Sequence, residues 1–483
     1  MGLLGILVAL GLLIRLAYRG WSVLLLAPAA AILAAGLAGE PLLAHWTQTF
    51  MGSAARFLMQ FFPIFLLGAL FGKLMEDSGS VSAIASFMAE RLGPRRAVLS
   101  VVLAGALVTY GGVSLFVAFF VLAPMAHALF RAAAIPKRLM PAAIALGTST
   151  FTMSALPGTP AIQNAIPMPF FGTTPFAAPG LGIIASIIML GFGLWWLARA
   201  EASARQKGEG YRADADVAVD ASEDQLVRER ATTSSTFDPA EIRHGYQSDP
   251  APSIAVAVVP LAVVIGVNLL MSLFVLPRLD ASYLADEAWG STSLSAVGGV
   301  WAVVTALAAA IATLIAVNYR RLPVLRESMD AGANACALPV LSVASLVGFG
   351  SVVAALPAFA MVRDWVLSIQ GGPLVSLAVA TNVLASLTGS ASGGLTIALD
   401  ALGGTYMRLA AEQGIDPGLM HRIAVIGAGT LDSLPHNGAV VTLLAVCGST
   451  HRESYFDIVM VSIVGGLLAL VAVIGLGTAF GSF

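Results

Sequence analysis

The sequence has few charged residues. Asp, Glu, Lys and Arg make up 11% of its 483 residues, against roughly 25% in soluble proteins. Four stretches contain none of them: 97–130, 139–198, 331–362 and 365–399. A spanning helix needs about 20 apolar residues, so each stretch is long enough for at least one crossing. These absences exclude a soluble globular protein and indicate an integral membrane protein.

Basic excess and cysteine clusters are also lacking. The net charge is −2, which gives no reason to expect nucleic acid as a partner. The two cysteines, Cys336 and Cys447, lie in apolar segments, so we predict neither a disulfide framework nor a metal site, and no cofactor. The N-terminal segment lacks the basic flank and cleavage site of a signal peptide, and we expect a retained first helix.

Long apolar runs predict an all-α protein. Apolar helices are expected at 3–17, 21–38, 56–75, 180–198, 253–276, 293–317, 334–356 and 455–480. Shorter amphipathic helices are expected at 80–92 and 359–370. The remaining polar stretch, 200–251, carries six Lys/Arg against eleven Asp/Glu and is typical of a flexible loop between two halves. A specific binding role for this loop is left open.

Short basic loops predict the orientation, because Lys and Arg are enriched on the cytoplasmic side. The clusters are Arg15 with Arg19; Arg91 with Arg95 and Arg96; Arg131 with Lys137 and Arg138; and Arg320 with Arg321 and Arg326. All four are cytoplasmic only if the N-terminus is outside. The loop 200–251 is then inside, the C-terminus is outside, and the two halves begin on opposite faces.

The two halves share a pattern. IPKRLMPAAIALGTST (135–150) matches IDPGLMHRIAVIGAGT (415–430) at a constant spacing of 280 residues. After a slip of two residues, SALPGTPA (154–161) matches DSLPHNGA (432–439). The common order and spacing predict an internal repeat with inverted topology.

Each half has two irregular points within apolar sequence. One is a glycine- and serine-rich tip between apolar arms, 95–108 with 115–130 and 373–387 with 395–411, which suits a re-entrant hairpin. The other is a proline-containing break in a crossing helix, at Thr152 to Pro160 and at Leu431 to Gly438. Irregular backbone at membrane depth is tolerated where it faces protein or a water-filled cavity, and paired broken helices indicate a transporter's binding site.

We therefore expect a small anion between the tips and the breaks, held by helix N-termini, glycine N–H groups and hydroxyls. The candidate binding residues are Tyr110, Gly111, Gly112, Ser114, Thr152, Ser154, Gly158, Thr159, Ser390, Ser392, Gly393, Gly394, Ser433, His436 and Asn437. For any single glycine, close helix packing is the alternative explanation. We expect no Lys or Arg near either break, so nothing offers a bidentate clamp for several carboxylates, and a small monoanion is favoured over citrate-like substrates.

Asp432 and His436 are the candidates for proton coupling. An acid at membrane depth costs roughly 2.5–3.5 kcal/mol on insertion scales and is a functional candidate by default. Asp432 can take up a proton when substrate arrives, and it can equally cap the second half-helix. His436 can share that proton or bond a helix-end carbonyl. Asp400 is the other acid in an apolar arm, and a structural role suits it equally well.

The segments TGSASGG (388–394), TLDSLPHNGAV (430–440) and LLAVCGSTHRESY (443–455) resemble the gluconate permease family, in particular its D-beta-hydroxybutyrate permease-like members. The resemblance covers essentially the whole chain. It implies a proton-coupled importer of small hydroxy-carboxylates in a bacterial cytoplasmic membrane, with a scaffold domain, a moving transport domain and a dimeric assembly. The tips lack the Ser-Asn-Thr signature of sodium-coupled relatives, so protons are favoured over sodium.

The resulting expectation is a secondary carrier in which scaffold parts (1–92 and 252–371) alternate with transport parts (93–199 and 372–483) around the cytoplasmic loop (200–251). D-3-hydroxybutyrate is the leading substrate, with gluconate or another sugar acid as the alternative. An intramembrane hydrolase built on Asp432, Ser433 and His436 is the alternative from another class, but it leaves the repeat unexplained. A passive channel has no need for a buried acid.

Overall fold

The computed structural model describes residues 2–17, 21–211, 251–435 and 437–483, and in these ranges the regular secondary structure is entirely helical. Seven helices within the described residues are long and apolar enough to cross a membrane. An eighth span results if the pair Ser80–Leu92 and Pro94–Tyr110, bent by 100°, counts as one. The prediction of an all-α integral membrane protein is confirmed.

The helices fall into two groups on either side of the polar loop. The first group is α1 (Gly2–Ala17), α2 (Val23–Ala38), α3 (Leu42–Asp77), α4 (Ser80–Leu92), α5 (Ala97–Tyr110), α6 (Leu115–Ala132), α7 (Met140–Thr148), α8 (Phe151–Ser154), α9 (Ile162–Ala165), α10 (Pro167–Phe171) and α11 (Pro179–Gln206). The second group is α12 (Ile254–Leu270), α13 (Leu294–Asn318), α14 (Leu325–Ala335), α15 (Ala337–Ala355), α16 (Phe359–Leu367), α17 (Gly372–Thr388), α18 (Ala391–Gln413), α19 (Pro417–Thr430), α20 (Gly438–Val446) and α21 (His451–Phe480).

All eight expected apolar helices and both amphipathic helices have a counterpart among these elements. The clearest difference is at α11, which continues to Gln206, seven residues into the stretch expected to be loop (200 to 206). The sequence EASARQ consists mostly of good helix formers, and Arg205 contacts Glu201 at 2.6 Å, one turn away. Of the rest of that stretch the structure describes 207–211 and 251.

The same order of elements occurs in both groups. Helices α5 and α6 are joined by a four-residue tip, 111–114, and α17 and α18 by the two-residue tip 389–390. An interrupted helix follows each pair: α7 stops at Thr148 and α8 at Ser154, whereas α19 stops at Thr430 and α20 starts at Gly438. The interruptions coincide with the proline-containing segments that the sequence singled out.

Glycines set equivalent helix contacts in the two groups. A Cβ added at Gly147 of α7 would lie 2.4 Å from the carbonyl oxygen of Val102 of α5. A Cβ at Gly427 of α19 would lie 2.4 Å from Oγ1 of Thr381 of α17. Gly147 and Gly427 are 280 residues apart, and Val102 and Thr381 are 279 apart. One close glycine contact in each group therefore occurs at nearly the 280-residue spacing of the sequence match.

The closest approach between hairpin arms is at Gly394, where an added Cβ would lie 2.2 Å from the backbone nitrogen of Ala385. We expect Gly394→Ala to force α17 and α18 apart and to lower stability by about 1–3 kcal/mol. Thermal unfolding of the detergent-solubilised protein measures the effect as a lower Tm.

Gly404 provides a matched control in the same helix. It is exposed, and no atom lies within 4 Å of its added Cβ. Gly404→Ala should keep or raise the Tm, since alanine is the better helix former by about 1 kcal/mol. Equal Tm values for the two variants would contradict the assignment of Gly394 to close packing.

Candidate functional site

Both tips and both helix breaks meet at one cavity of about 210 Å³. Its wall includes residues 112–116 of the first tip and the start of α6, and 160–163 at the end of the first break. On the second half it includes Ser390 to Ser392 at the tip, and Asp432 with Asn437 at the break. Helix α3 contributes a further wall at 64–69. A space of this size is enough for several waters or a small organic molecule.

Two helices of the hairpins begin at this cavity. Helix α6 starts after Ser114, and Val113, Ser114 and Leu115 line the space. Gly112, with a φ of +98°, turns the chain into that start. A Cβ at Gly112 would lie 2.9 Å from Cγ of Pro160, so the tip and the first break touch here. The first turn of an 18-residue helix thus faces the cavity.

Helix α18 also begins at this cavity. Ser390 is its N-cap, and Oγ of Ser390 accepts a hydrogen bond from the backbone N–H of Gly393 at 3.2 Å. Oγ of Ser392 lies 3.2 Å from Oγ of Ser390. The N-terminus of a helix carries a partial positive charge and free N–H groups. The cavity is therefore lined by two such ends and by their hydroxyls.

Asp432 lies at the second break, in contact with the N-terminus of α18. Its Oδ1 accepts a hydrogen bond from Nδ2 of Asn437 at 2.7 Å, and its carboxylate also accepts one from the backbone N–H of Ala391. Asp432 lines the main cavity and a second, smaller one of about 20 Å³. The carboxylate of Asp432 thus accepts hydrogen bonds from the N–H of Ala391 and from Asn437, which would otherwise be free to bind an anion in the cavity.

Asn437 connects the second break to the second tip. Its Nδ2 also donates to the carbonyl oxygen of Gly389 at 2.9 Å, and its Oδ1 accepts from the backbone N–H of Ala439 at 2.7 Å. Asn437 is therefore the N-cap of α20 as well as the partner of Asp432. His436, the residue before it, lies outside the described residues.

Of the predicted binding residues, Gly112, Ser114, Ser390, Ser392 and Asn437 line the main cavity. Ser433 lines only the smaller cavity. The structure places the other described candidates behind the wall: Tyr110, Gly111, Thr152, Ser154, Gly158, Thr159, Gly393 and Gly394.

Several of the candidates behind the wall support the backbone. The hydroxyl of Tyr110 donates to the carbonyl oxygen of Pro157 at 2.8 Å, and Thr152 and Ser154 donate to carbonyls four residues earlier. The carbonyl oxygen of Gly158 accepts a hydrogen bond from Nδ2 of Asn268 at 3.0 Å. Gly158 has a φ of +81°.

The expectation that no cation lies near either break is wrong. Arg422 of α19 is fully buried, and its guanidinium reaches the first break. Nη1 lies 3.4 Å from the carbonyl oxygen of Ser154 and 3.4 Å from Oδ1 of Asn164. Nη2 and Nε donate to the carbonyl oxygen of Ala177 at 2.7 and 3.2 Å. This contact could not be predicted from the sequence, because 268 residues separate Ser154 from Arg422.

Asn164 and His421 complete this buried group. Nδ2 of Asn164 donates to the carbonyl oxygens of Thr159 and Pro175, both at 3.0 Å. Nε2 of His421 lies 3.1 Å from Oδ1 of Asn164, and Nδ1 lies 2.6 Å from Oγ1 of Thr173. These bonds attach the first break to the helix that leads into the second break.

A second set of buried charges lies on α3, in about the two turns that follow its cavity-lining residues 64–69. Lys73, Glu76 and Asp77 are 4%, 5% and 2% exposed. Nζ of Lys73 lies 2.9 Å from Oδ1 of Asp77 and 3.5 Å from Oε2 of Glu76. The apolar pattern of 56–75 predicts an ordinary membrane helix and does not reveal this buried set.

Comparison with known proteins places the chain in a family. The sequence profile described as GntP family permease matches residues 1–192. An uncharacterized transporter of Bacillus subtilis, YxjC, is 40% identical over 485 residues, which is 99% of both chains. The chain belongs to the GntP permease family. It is a membrane transporter, in agreement with the family that its motifs resemble.

This GntP permease also matches a high-affinity gluconate transporter of Escherichia coli, with 39% identity over 106 residues, or 21% of this chain and 23% of that one. Two solved transporters share the fold. The YdaH transporter of Alcanivorax borkumensis has a TM-score of 0.53 at 16% identity, with 91% and 89% of the chains covered. MtrF of Neisseria gonorrhoeae has a TM-score of 0.53 at 14% identity, with 91% and 83% covered.

The buried charges on α3 generate a stability prediction. Lys73→Met leaves two buried carboxylates without this cation, and removing one partner of a buried ion pair costs about 3–5 kcal/mol. Glu76→Gln keeps the contact between Lys73 and Asp77 and should cost much less. Thermal unfolding in detergent should therefore rank the Tm of Lys73→Met well below that of Glu76→Gln. The reverse ranking would show that Lys73 does not compensate these carboxylates.

Proposed function

We propose that this permease carries out proton-coupled symport of a small hydroxy-monocarboxylate such as D-3-hydroxybutyrate. The observation that carries the proposal is the meeting of two helix N-termini and one acid at a single cavity. The substrate carboxylate would bind at the starts of α6 and α18, where free N–H groups and a positive dipole end favour an anion. Ser114, Ser390 and Ser392 would orient it through their hydroxyls.

Coupling follows from competition between two carboxylates for one set of donors. Ionised Asp432 accepts from the N–H of Ala391 and from Asn437, and so fills the position at α18 that suits an anion. Protonation removes the charge of Asp432 and weakens its hold on these donors, because hydrogen bonds to charged groups are the stronger ones. The substrate carboxylate then takes its place. Proton and substrate therefore bind together, and His436 is proposed to share the proton.

The lining favours a short substrate. Only seven of the 24 residues that line the cavity carry a polar side chain, and none of these described residues is Lys or Arg. A short-chain hydroxy acid has one carboxylate, one hydroxyl and an apolar end, which suits that surface. A sugar acid brings more hydroxyls that need partners. The second candidate is nevertheless gluconate, favoured by the partial match to the gluconate transporter of Escherichia coli.

For the architecture we propose two inverted repeats and an elevator movement. The recurrence of the Gly147–Val102 contact as Gly427–Thr381 supports the repeat. In this proposal 1–92 and 252–371 form a scaffold that holds a homodimer together. The parts 93–199 and 372–483 carry the substrate, and the loop 200–251 lies in the cytoplasm. The protein lies in a bacterial cytoplasmic membrane with both termini outside.

Single cysteines labelled with a membrane-impermeant maleimide test the proposed orientation. In intact cells a cysteine near either terminus should react and one near Arg320 should not. The opposite pattern would reverse the orientation.

The first functional experiment is uptake of labelled D-3-hydroxybutyrate into proteoliposomes under an inward proton gradient. We expect accumulation with or without sodium, and persistence of that accumulation when gluconate is in excess. Complete competition by gluconate would favour a sugar acid as the substrate. A requirement for sodium would show that the proposed coupling ion is wrong. If neither acid accumulates, the proposed function is wrong.

Asp432→Asn tests the coupling role. The amide resembles the protonated acid, so exchange of labelled for unlabelled substrate should continue while gradient-driven accumulation falls at least tenfold. Asp400→Asn is the matched control, since Asp400 is an exposed acid on α18 that hydrogen-bonds Ser351 and does not line the cavity. Accumulation by Asp432→Asn at the wild-type level would rule out Asp432 as the coupling acid.

A further inference from the structure

The guanidinium of Arg422 is a buried positive charge whose hydrogen-bond partners are all neutral. They are the carbonyl oxygens of Ala177 and Ser154 and the side-chain oxygen of Asn164. Among the described residues no carboxylate lies within 4.0 Å of it. Buried charges in proteins are normally paired, so this one requires an explanation beyond its hydrogen bonds.

The segment that Arg422 contacts is the back of the cavity wall. Ser154 and Asn164 border the first break, and Met153 with residues 160–163 of the same segment lines the cavity. Asp432 follows Arg422 by ten residues, which corresponds to about 15 Å along a helix. The charge therefore acts on the cavity across one layer of protein, where screening by water is weak.

We propose that Arg422 supplies the fixed positive charge that one anion in the cavity balances, so that the binding site is neutral both when it is empty and when it holds a monoanion and one proton. The inference rests on the proposed function. In the empty carrier ionised Asp432 is the balancing anion. In the loaded carrier Asp432 is protonated, and the substrate carboxylate replaces it as the balancing anion. The sum over Arg422, Asp432 and substrate is zero in both states.

Arg422 is in this view a positioning residue, because it acts on the substrate through the wall and without contact. A structural clamp would use the same hydrogen bonds but would not depend on the charge. Substitution by lysine or by glutamine removes the planar guanidinium that reaches Ala177, and only lysine keeps the positive charge. Arg422→Lys and Arg422→Gln therefore separate the two roles.

The experiment measures uptake of labelled D-3-hydroxybutyrate and of gluconate at an external pH of about 6, with wild type, Arg422→Lys and Arg422→Gln. We expect Arg422→Gln to raise KM about five- to tenfold, the effect of one charge about 15 Å away at an effective dielectric constant of about 20. Arg422→Lys should keep KM within about twofold of wild type. Wild-type uptake should also be unchanged when a potassium diffusion potential is imposed with valinomycin.

Asn164→Asp covers the case in which Arg422→Gln does not fold. It places a permanent carboxylate beside Nη1 of Arg422 and should raise KM in the same direction, although Arg422 remains.

The outcomes are distinct. If wild type takes up substrate but the lysine and glutamine variants have the same KM, or if uptake follows the membrane potential, the charge role is wrong and the proposed function stands. If wild type takes up neither acid, both fail.

Discussion

The structure depends on one constraint, which is that backbone groups exposed where a helix breaks must find partners inside an apolar protein layer. At the first break, side chains supply the donors. Tyr110 reaches the carbonyl oxygen of Pro157, Asn268 that of Gly158, and Arg422 those of Ser154 and Ala177. Asn164 adds bonds to Thr159 and Pro175. The need to hydrogen-bond these carbonyls explains why so many long polar side chains surround one short segment.

The second break follows the same rule with different residues. The hydroxyl of Tyr455 donates to the carbonyl oxygen of Ser433 at 3.1 Å, and Nε2 of His451 lies 2.7 Å from that of Pro435. Asn437 caps α20 and reaches Gly389. Tip and break are joined in both halves, by Tyr110 in one and by Asn437 in the other. Residues that first satisfy the backbone thereby fix the position of the cavity.

The sequence alone predicts the helices and the positions where they are interrupted. Apolar runs predict helices reliably in a membrane protein, since length and hydropathy are local properties. Proline and glycine mark interruptions for equally local reasons. The breaks at 152–160 and 431–438 were therefore identifiable, and so was Asp432, whose charge stands out in an apolar context.

What the sequence did not reveal depends on contacts between distant residues. Arg422 follows a histidine near the start of α19, and only the fold brings it to Ser154. Lys73, Glu76 and Asp77 lie at the end of an apolar run, and only the fold shows that they are buried together. Thr152 and Ser154 looked like ligands because they border a proline. They instead donate to carbonyls of their own helix, a use of hydroxyls that sequence alone does not distinguish from binding.

The chemistry of the neighbours of Arg422 bears on why the site contains a cation without a permanent carboxylate partner. A carboxylate beside the guanidinium would cancel its charge, and an arriving substrate anion would then leave the cavity with a net negative charge. Moving such a charge through an apolar layer is costly. Carbonyls and an amide hold the guanidinium equally well but leave its charge in place. In the proposed mechanism the compensating anion then changes from Asp432 to substrate, a change that a static ion pair would prevent.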